Sequence, residues 1–254
     1  MINVYSLGSG SKGNCMVISD GKSCVMIDAG LSEKTIMKKL VEIGLRKEDI
    51  NGILVTHEHN DHVRSLSELS YYIPFYSHYE TVEALKSTLY SVKNSNEIEE
   101  KSFEINGFNI KPFAVSHDAV RPLGYVIDNG NEKVAYLTDT GYISQGILNK
   151  IKGCDSVIIE SNHDKELLIR GAYPERLKRR ILSDKGHLCN EETALCVNDL
   201  IKSGTQKILL SHISENNNLA ELAYWTTVKY LMNNGCDMKK IKVKVAPQRE
   251  TVIL

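Results

Sequence analysis

"GILVTHEHNDHV", residues 52–63, sets a short β-rich apolar run directly against His57, Glu58, His59, Asp61 and His62. Its apolar half reads as a buried strand. The polar half is either an ordinary turn at the strand's end or part of a metal site whose other ligands lie elsewhere. Working outward, three further strand-like runs end the same way: "KPFAVSH" in His117, "VAYLTD" in Asp139 and "KILLSH" in His212. Residues at the ends of neighbouring strands converge on one edge of a sheet, where αβ proteins place their sites. Five histidines and two aspartates suit borderline divalent cations such as zinc, manganese or iron. With no cysteine among them, a catalytic site with open positions is expected rather than a closed structural one.

The flanking segments give the fold class. "INVYSL", "CMVIS" and "SCVMIDAG" are strand candidates, the last two joined by a hairpin turn at Asp20-Gly21. "SEKTIMKKLVEIG" predicts a helix with Ser32 as N-cap and Gly44 at its C-terminal stop. After the histidine cluster come two helical stretches separated by Pro74, then a second β-rich region with a hairpin at "NGNE". Helices then alternate with strands to the end: "SQGILNKI", "SVIIES", "PERLKRRILSD", "NEETALCVNDLIKSG", "KILLSH" and "ELAYWTTVKYLMNNG". Both halves begin with hairpins and continue as βα units, which predicts two similar αβ halves, sheets face to face and helices outside. No low-complexity linker interrupts the chain, so residues 1–254 are expected to form a single domain.

Composition excludes several function classes. With 31 basic against 32 acidic residues, no global positive field advertises nucleic acid, so a polyanion would need a local patch or bound cations. The cysteines at 15, 24, 154, 189, 196 and 236 include no CxxC pair and fit reduced thiols better than a disulfide scaffold. No apolar run approaches the roughly 20 residues of a membrane span, and "MINVYSLGSGSKGN" lacks a signal peptide's basic start and apolar core. A cytoplasmic protein without membrane association is expected. "GSGSKGN" lacks the ending of a phosphate loop and the spacing of a dinucleotide fingerprint, so no nucleotide cofactor is expected.

The ordered set His57-x-His59-x-Asp61-His62, His117, Asp139, His212 resembles the dinuclear site of the metallo-β-lactamase fold. That resemblance implies a four-layer αββα sandwich and two divalent metal ions, Zn2+ first, with Mn2+ or Fe2+ as alternatives. It assigns His57, His59 and His117 to one metal, Asp61, His62 and His212 to the other, and Asp139 as the bridge. "SLGSGSKGNC", "VSHDAVRPLGY", "LTDTGY", "ESNHD", "GAYPERLKRRI", "GHLCNEETA" and "LSHISENNN" together resemble the bacterial WalJ/YycJ (VicX) group over nearly the whole chain. Membership implies a 5′-to-3′ exonuclease on double-stranded DNA. Cys189 stands where that group usually has serine.

Two metals roughly 3.5–4 Å apart would generate a hydroxide nucleophile and stabilise charge on a phosphodiester. Asp61, besides ligating, is a candidate to orient that hydroxide, and His187 is the candidate proton donor to the leaving oxygen, as in related nucleases. Glu160, Asn162 and Asp164 are candidates to orient ligand histidines. Ser9, Ser11, Asn14, His163, Arg176, Arg179 and Arg180 are the candidate substrate contacts, the arginines because their cluster precedes His187 in an otherwise neutral chain. The aromatic run "YYIPFYSHY" reads as core, and its His78 as surface. Between Asp139 and His212 lie 72 residues and between His117 and Asp139 lie 21, too few for an inserted β-CASP cap or a tRNase Z arm. Three rival readings remain. They are hydrolysis of a small ester, thioester or lactone, cleavage of RNA or a cyclic phosphodiester, and a catalytically silent metal-binding adaptor.

Overall fold

The computed structural model describes residues 1–89 and 91–254. Fourteen strands form two seven-stranded sheets. The first takes β1 (Asn3–Gly8), β2 (Cys15–Ser19), β3 (Cys24–Ile27), β4 (Gly52–Leu54), β5 (Phe75–His78) and β6 (Ser95–Ile98) in sequence order, and the C-terminal β14 (Val252–Ile253) returns to pair with β1. The second takes β7 (Phe103–Ile105), β8 (Phe108–Ala114), β9 (Leu123–Asp128), β10 (Lys133–Leu137), β11 (Ser156–Glu160), β12 (Lys207–Ser211) and β13 (Lys242–Val245), again in sequence order. Each half starts antiparallel and turns parallel, at β3–β4 and at β10–β11. A hairpin explains the first part, and the crossover helices that parallel strands require explain the second.

The layers follow from three apolar clusters. Met16, Ile18, Ile27 and Leu54 of the first sheet meet Phe108, Tyr125, Tyr136 and Leu209 of the second between the sheets. The outer face of the first sheet packs on Ile36 and Leu40 of α1 (Glu33–Glu42) and on Val82 and Leu85 of α4 (Tyr79–Thr88). The outer face of the second packs on α5 (Gln145–Ile151), α8 (Asn190–Lys202) and α9 (Ala220–Asn233). This is the expected αββα sandwich. Strands buried on both faces read as continuous apolar runs, which is why "CMVIS" and "SVIIE" show no alternation.

The predicted punctuation is where the chain turns. Ser32 Oγ accepts from Thr35 N at 3.3 Å, and Gly44 follows α1 at φ 77°. Gly21 (φ 87°) and Gly130 (φ 85°) sit in the two predicted hairpins, at a backbone geometry that glycine adopts without strain. Cys189 is the N-cap of α8: its Sγ accepts from Glu192 N at 3.4 Å, so the thiol keeps the role a serine hydroxyl would have. All six cysteines are free thiols. Among the described residues no helix is long and apolar enough to cross a membrane. Two expectations are corrected. His78 is buried, its Nδ1 accepting from Glu80 N to cap α4, and of the aromatic side chains in that run only Phe75 and Tyr76 join the core. Tyr71, Tyr72 and Tyr79 are exposed, because the strand between them is only four residues long.

Candidate metal centre

β3, β4, β10, β11 and β12 all run parallel within their sheets and end at one edge of the sandwich, and β8 ends there too because two antiparallel pairings restore its direction. His57 and His59 lie in the turn after β4, and Asp61 and His62 in the single-turn helix α2 (Asn60–Val63). His117 follows β8, Asp139 follows β10 and His212 follows β12. Ligand atoms of His57, His59 and His117 lie within 4.8 Å of one another, as do those of Asp61, His62 and His212, and those of His57, His62 and Asp139. Asp139 stands between the two sets: Oδ2 is 3.3 Å from His62 Nε2, and Oδ1 is 3.9 Å from His117 Nε2. Its Oδ1 is also 3.0 Å from His212 Nδ1, out of line for a hydrogen bond.

A metal fits this cluster on the structure's own terms. His57 Nε2 and Asp139 Oδ2 are buried donor atoms without a hydrogen-bond partner, which is costly unless something else satisfies them. The ligand rings are also held from behind. His62 Nδ1 lies 2.7 Å from Asp28 Oδ2, His57 Nδ1 lies 3.0 Å from Thr56 Oγ1, and His117 Nδ1 lies 3.2 Å from the Gly186 carbonyl. A carboxylate or carbonyl behind Nδ1 fixes the proton there and leaves Nε2 free to ligate. The sequence reading passed over Asp28, although "CVMID" shows the same pattern of a β-rich run ending in a carboxylate.

Backbone geometry holds the edge in shape. Asp28 (φ 60°), Asp139 (φ 54°) and His212 (φ 52°) each occupy the left-handed region within two residues of a strand's end. Such residues cost about 1–3 kcal/mol each and are retained where surrounding structure over-determines them. Gly30 lies under the motif: a Cβ there would sit 1.7 Å from the Asp61 carbonyl oxygen. Ala29 N donates to His62 O at 2.7 Å and Asn14 N to Asp61 O at 2.8 Å, so the two loops are locked together.

Charge follows burial. Burial pushes His57 well below the ordinary histidine range, and the neighbouring His62 adds to it. Burial works against ionised Asp139, but His212 and His62 outweigh it and hold the carboxyl well below the usual range. Burial likewise opposes charge on His62, yet Asp28, Asp139 and Asp61 raise it well above the usual range. A ligating nitrogen must shed its proton, so metal uptake releases protons.

The ligands form the floor of a cleft of about 240 Å3 whose sides include Ser11, Asn162, Tyr173, Arg180 and His187. His187 Nδ1 lies 3.0 Å from Glu160 Oε2, and Glu160 Oε1 accepts from Thr140 N and Leu188 N. Asn162 Nδ2 donates to His212 O, whereas Asp164 caps α6 (Lys165–Arg170) and lies away from the ligands. Ser9 is buried, its Oγ accepting from His212 N at 2.8 Å, and Asn14 is buried with Nδ2 3.1 Å from His62 Nε2. Ser9 therefore backs His212, Asn14 lies against the ligating edge of His62 and 3.4 Å from Asp61 Oδ2, and only Ser11 of that loop lines the cleft. His163 is buried with neither ring nitrogen partnered, and burial lowers it to about 4. Of the three arginines on α7 (Glu175–Ile181), Arg180 lines the cleft and donates from Nη2 to Asp118 at 2.9 Å. Arg176 and Arg179 are exposed and do not line it.

The Beta-lactamase superfamily domain matches residues 24–213. The chain belongs to that superfamily. It is 39% identical over 234 residues to the exodeoxyribonuclease YycJ of Bacillus anthracis, covering 90% of this chain and 89% of the relative. It is 40% identical over 244 residues to the exodeoxyribonuclease WalJ of Streptococcus pneumoniae, covering 92% and 91%. These likenesses place it in the WalJ/YycJ group, as a metal-dependent hydrolase. The metallo-β-lactamase fold protein YhfI from Bacillus subtilis superposes over 100% of this chain and 99% of its own with a TM-score of 0.75. At 15% identity, that likeness speaks for the fold alone.

Proposed function

We propose that this protein is a two-metal exodeoxyribonuclease that shortens duplex DNA from a free end in the 5′-to-3′ direction, acting as a single domain. The observation that carries the reading is the pair of three-ligand sets meeting at Asp139. Zn2+ suits the imidazole-rich donor set, with Mn2+ or Fe2+ as alternatives. The two YycJ/WalJ relatives, named exodeoxyribonucleases and matched over nine-tenths of the chain, support DNA as substrate.

His57, His59 and His117 would hold one cation and Asp61, His62 and His212 the other, and the chemistry such a pair would supply is a hydroxide at neutral pH and relief of phosphodiester charge. Asp61 is partly exposed to the cleft and orients the attacking water through its carboxylate. Glu160 accepts from His187 Nδ1 and stabilises the imidazolium, whose Nε2 proton passes to the leaving oxygen. Arg180 meets a non-bridging phosphate oxygen from its ion pair with Asp118.

The test is incubation of metal-loaded protein and its Asp61→Ala variant with end-labelled duplex DNA, single-stranded DNA and RNA. Progressive shortening of the duplex from its 5′ ends by wild type alone is the expected result. Turnover of a simple ester or thioester with every nucleic acid left intact would overturn the DNA reading and leave the metal centre standing. Faster cutting of RNA would reassign the substrate.

A further inference from the structure

Phosphodiester chemistry needs charge, but one wall of the cleft is apolar. Tyr173, just ahead of α7, and Leu177 and Ile181 on it follow four-residue spacing and all line the cleft beside the ligands. Tyr173 and Leu177 are half-buried rather than packed into the core. The wall is fixed before any substrate arrives. Asn216 Nδ2 donates to the Tyr173 hydroxyl at 2.8 Å, and Lys178 Nζ donates to the Ile169 carbonyl at 2.7 Å, tying α7 to α6. A Cβ on Gly171 would lie 2.7 Å from the Leu167 carbonyl oxygen, so the connecting loop is closely packed as well.

The floor adds a second constraint. Of the ligands that line the cleft, His59 and Asp61 are partly exposed, while His117, Asp139 and His212 are each at most 5% exposed, so a phosphate meets these three only by entering the cleft. A cleft of about 240 Å3, with Arg180 and Ser11 in its lining, is too small to take a duplex end whole. A base still paired to its complement cannot follow its phosphate down.

We infer that the Tyr173–Leu177 wall seats one unpaired nucleotide, with Tyr173 stacking on its base, so the terminal pair of a duplex opens before its phosphate is cut. This rests on the DNA reading above and adds the form in which DNA is bound. Opening an end sacrifices pairing and stacking, least where the end is mismatched. An aromatic ring recovers stacking with any base, which gives an exonuclease sequence tolerance.

The test uses metal-free protein and fluorescence anisotropy with three duplexes that differ only at one end: matched, mismatched, or covalently cross-linked across the terminal pair. The mismatched end is expected to bind most tightly and the cross-linked end least, and Tyr173→Ala should weaken the mismatched end roughly 5- to 150-fold. Tyr173→Phe keeps the ring and should keep the preference. Wild-type metal uptake by Tyr173→Ala would show that its fold is intact. On loaded enzyme the same variant should raise KM for DNA more than it lowers kcat. Equal binding and equal shortening of cross-linked and mismatched ends by an active exonuclease would overturn this inference alone. A protein that neither binds nor shortens any of the three overturns the DNA reading as well.

Discussion

The two sheets contribute to the candidate metal centre in opposite ways. The first delivers four ligands within six residues, His57, His59, Asp61 and His62, from one turn and one helical turn. The second delivers His117, Asp139 and His212 singly, from β8, β10 and β12: β9 alone lies between the first two, and β11 with helices α5 to α8 lies between the last two. On the first side the spacing is local, so sequence alone sets it and a cradle of backbone contacts from residues 28–30 trims it. On the second side the spacing exists only once the sheet has formed, and two of the three ligands sit in left-handed backbone. One half of the centre is a motif; the other is a product of tertiary structure.

On the two-metal proposal, removing Asp139, the residue assigned to both sets, should do the most damage. Asp139→Ala is expected to abolish turnover and to reduce metal content of the purified protein, read by inductively coupled plasma mass spectrometry. If it kept full metal and measurable turnover, Asp139 would not join the two sets. His187 lies on the second side without being needed for either three-ligand set. Its replacement by alanine should lower kcat about 10²- to 10⁴-fold while metal content stays at the wild-type level.

His163 also belongs to the second half, just past β11 and paired with Cys189, and it tests stability rather than catalysis. Its folded-state value of about 4 lies below the ordinary 6.5, so the unfolded chain takes up the proton more readily. Stability should therefore fall as pH drops from about 6.5 to about 4, by on the order of 3 kcal/mol. His163→Gln should flatten that part of the Tm-against-pH curve, and an unchanged slope would show that another group sets it. The smallest effect is expected on the first side, where the backbone cradle already holds the motif. Asp28→Asn should weaken metal binding roughly 10- to 100-fold in competition with a chromophoric chelator. A loss as complete as that of Asp139→Ala would mean that the local motif depends on its support as much as the dispersed ligands depend on theirs.

This contrast also explains what was legible beforehand. The hairpins at Gly21 and Gly130, the capped helix after Ser32 and the β-rich runs ending in ligands are local signals, and the αββα layering followed from them. The ligand clusters could be located because histidine and aspartate at strand ends are visible without coordinates. Local spacing cannot show which side of a ligand a residue occupies. Ser9 and Asn14 look like an accessible loop in sequence, yet both are buried, Ser9 on the His212 backbone and Asn14 against the His62 ring. Asp28 escaped notice because its partner, His62, is 34 positions away. Arg176 and Arg179 share a charged run with Arg180, but only Arg180 has Asp118 to draw it to the cleft.

The left-handed residues at the strand ends have a consequence for how this chain can drift. At Asp28, Asp139 and His212 the backbone asks for glycine or asparagine, while the chemistry asks for a carboxylate or an imidazole. A population selected only for surviving heat should therefore accumulate glycine or asparagine at these three positions, gaining robustness as it loses the centre. Replacing all three by glycine and finding a higher Tm with no metal uptake would show that these positions trade stability for the centre.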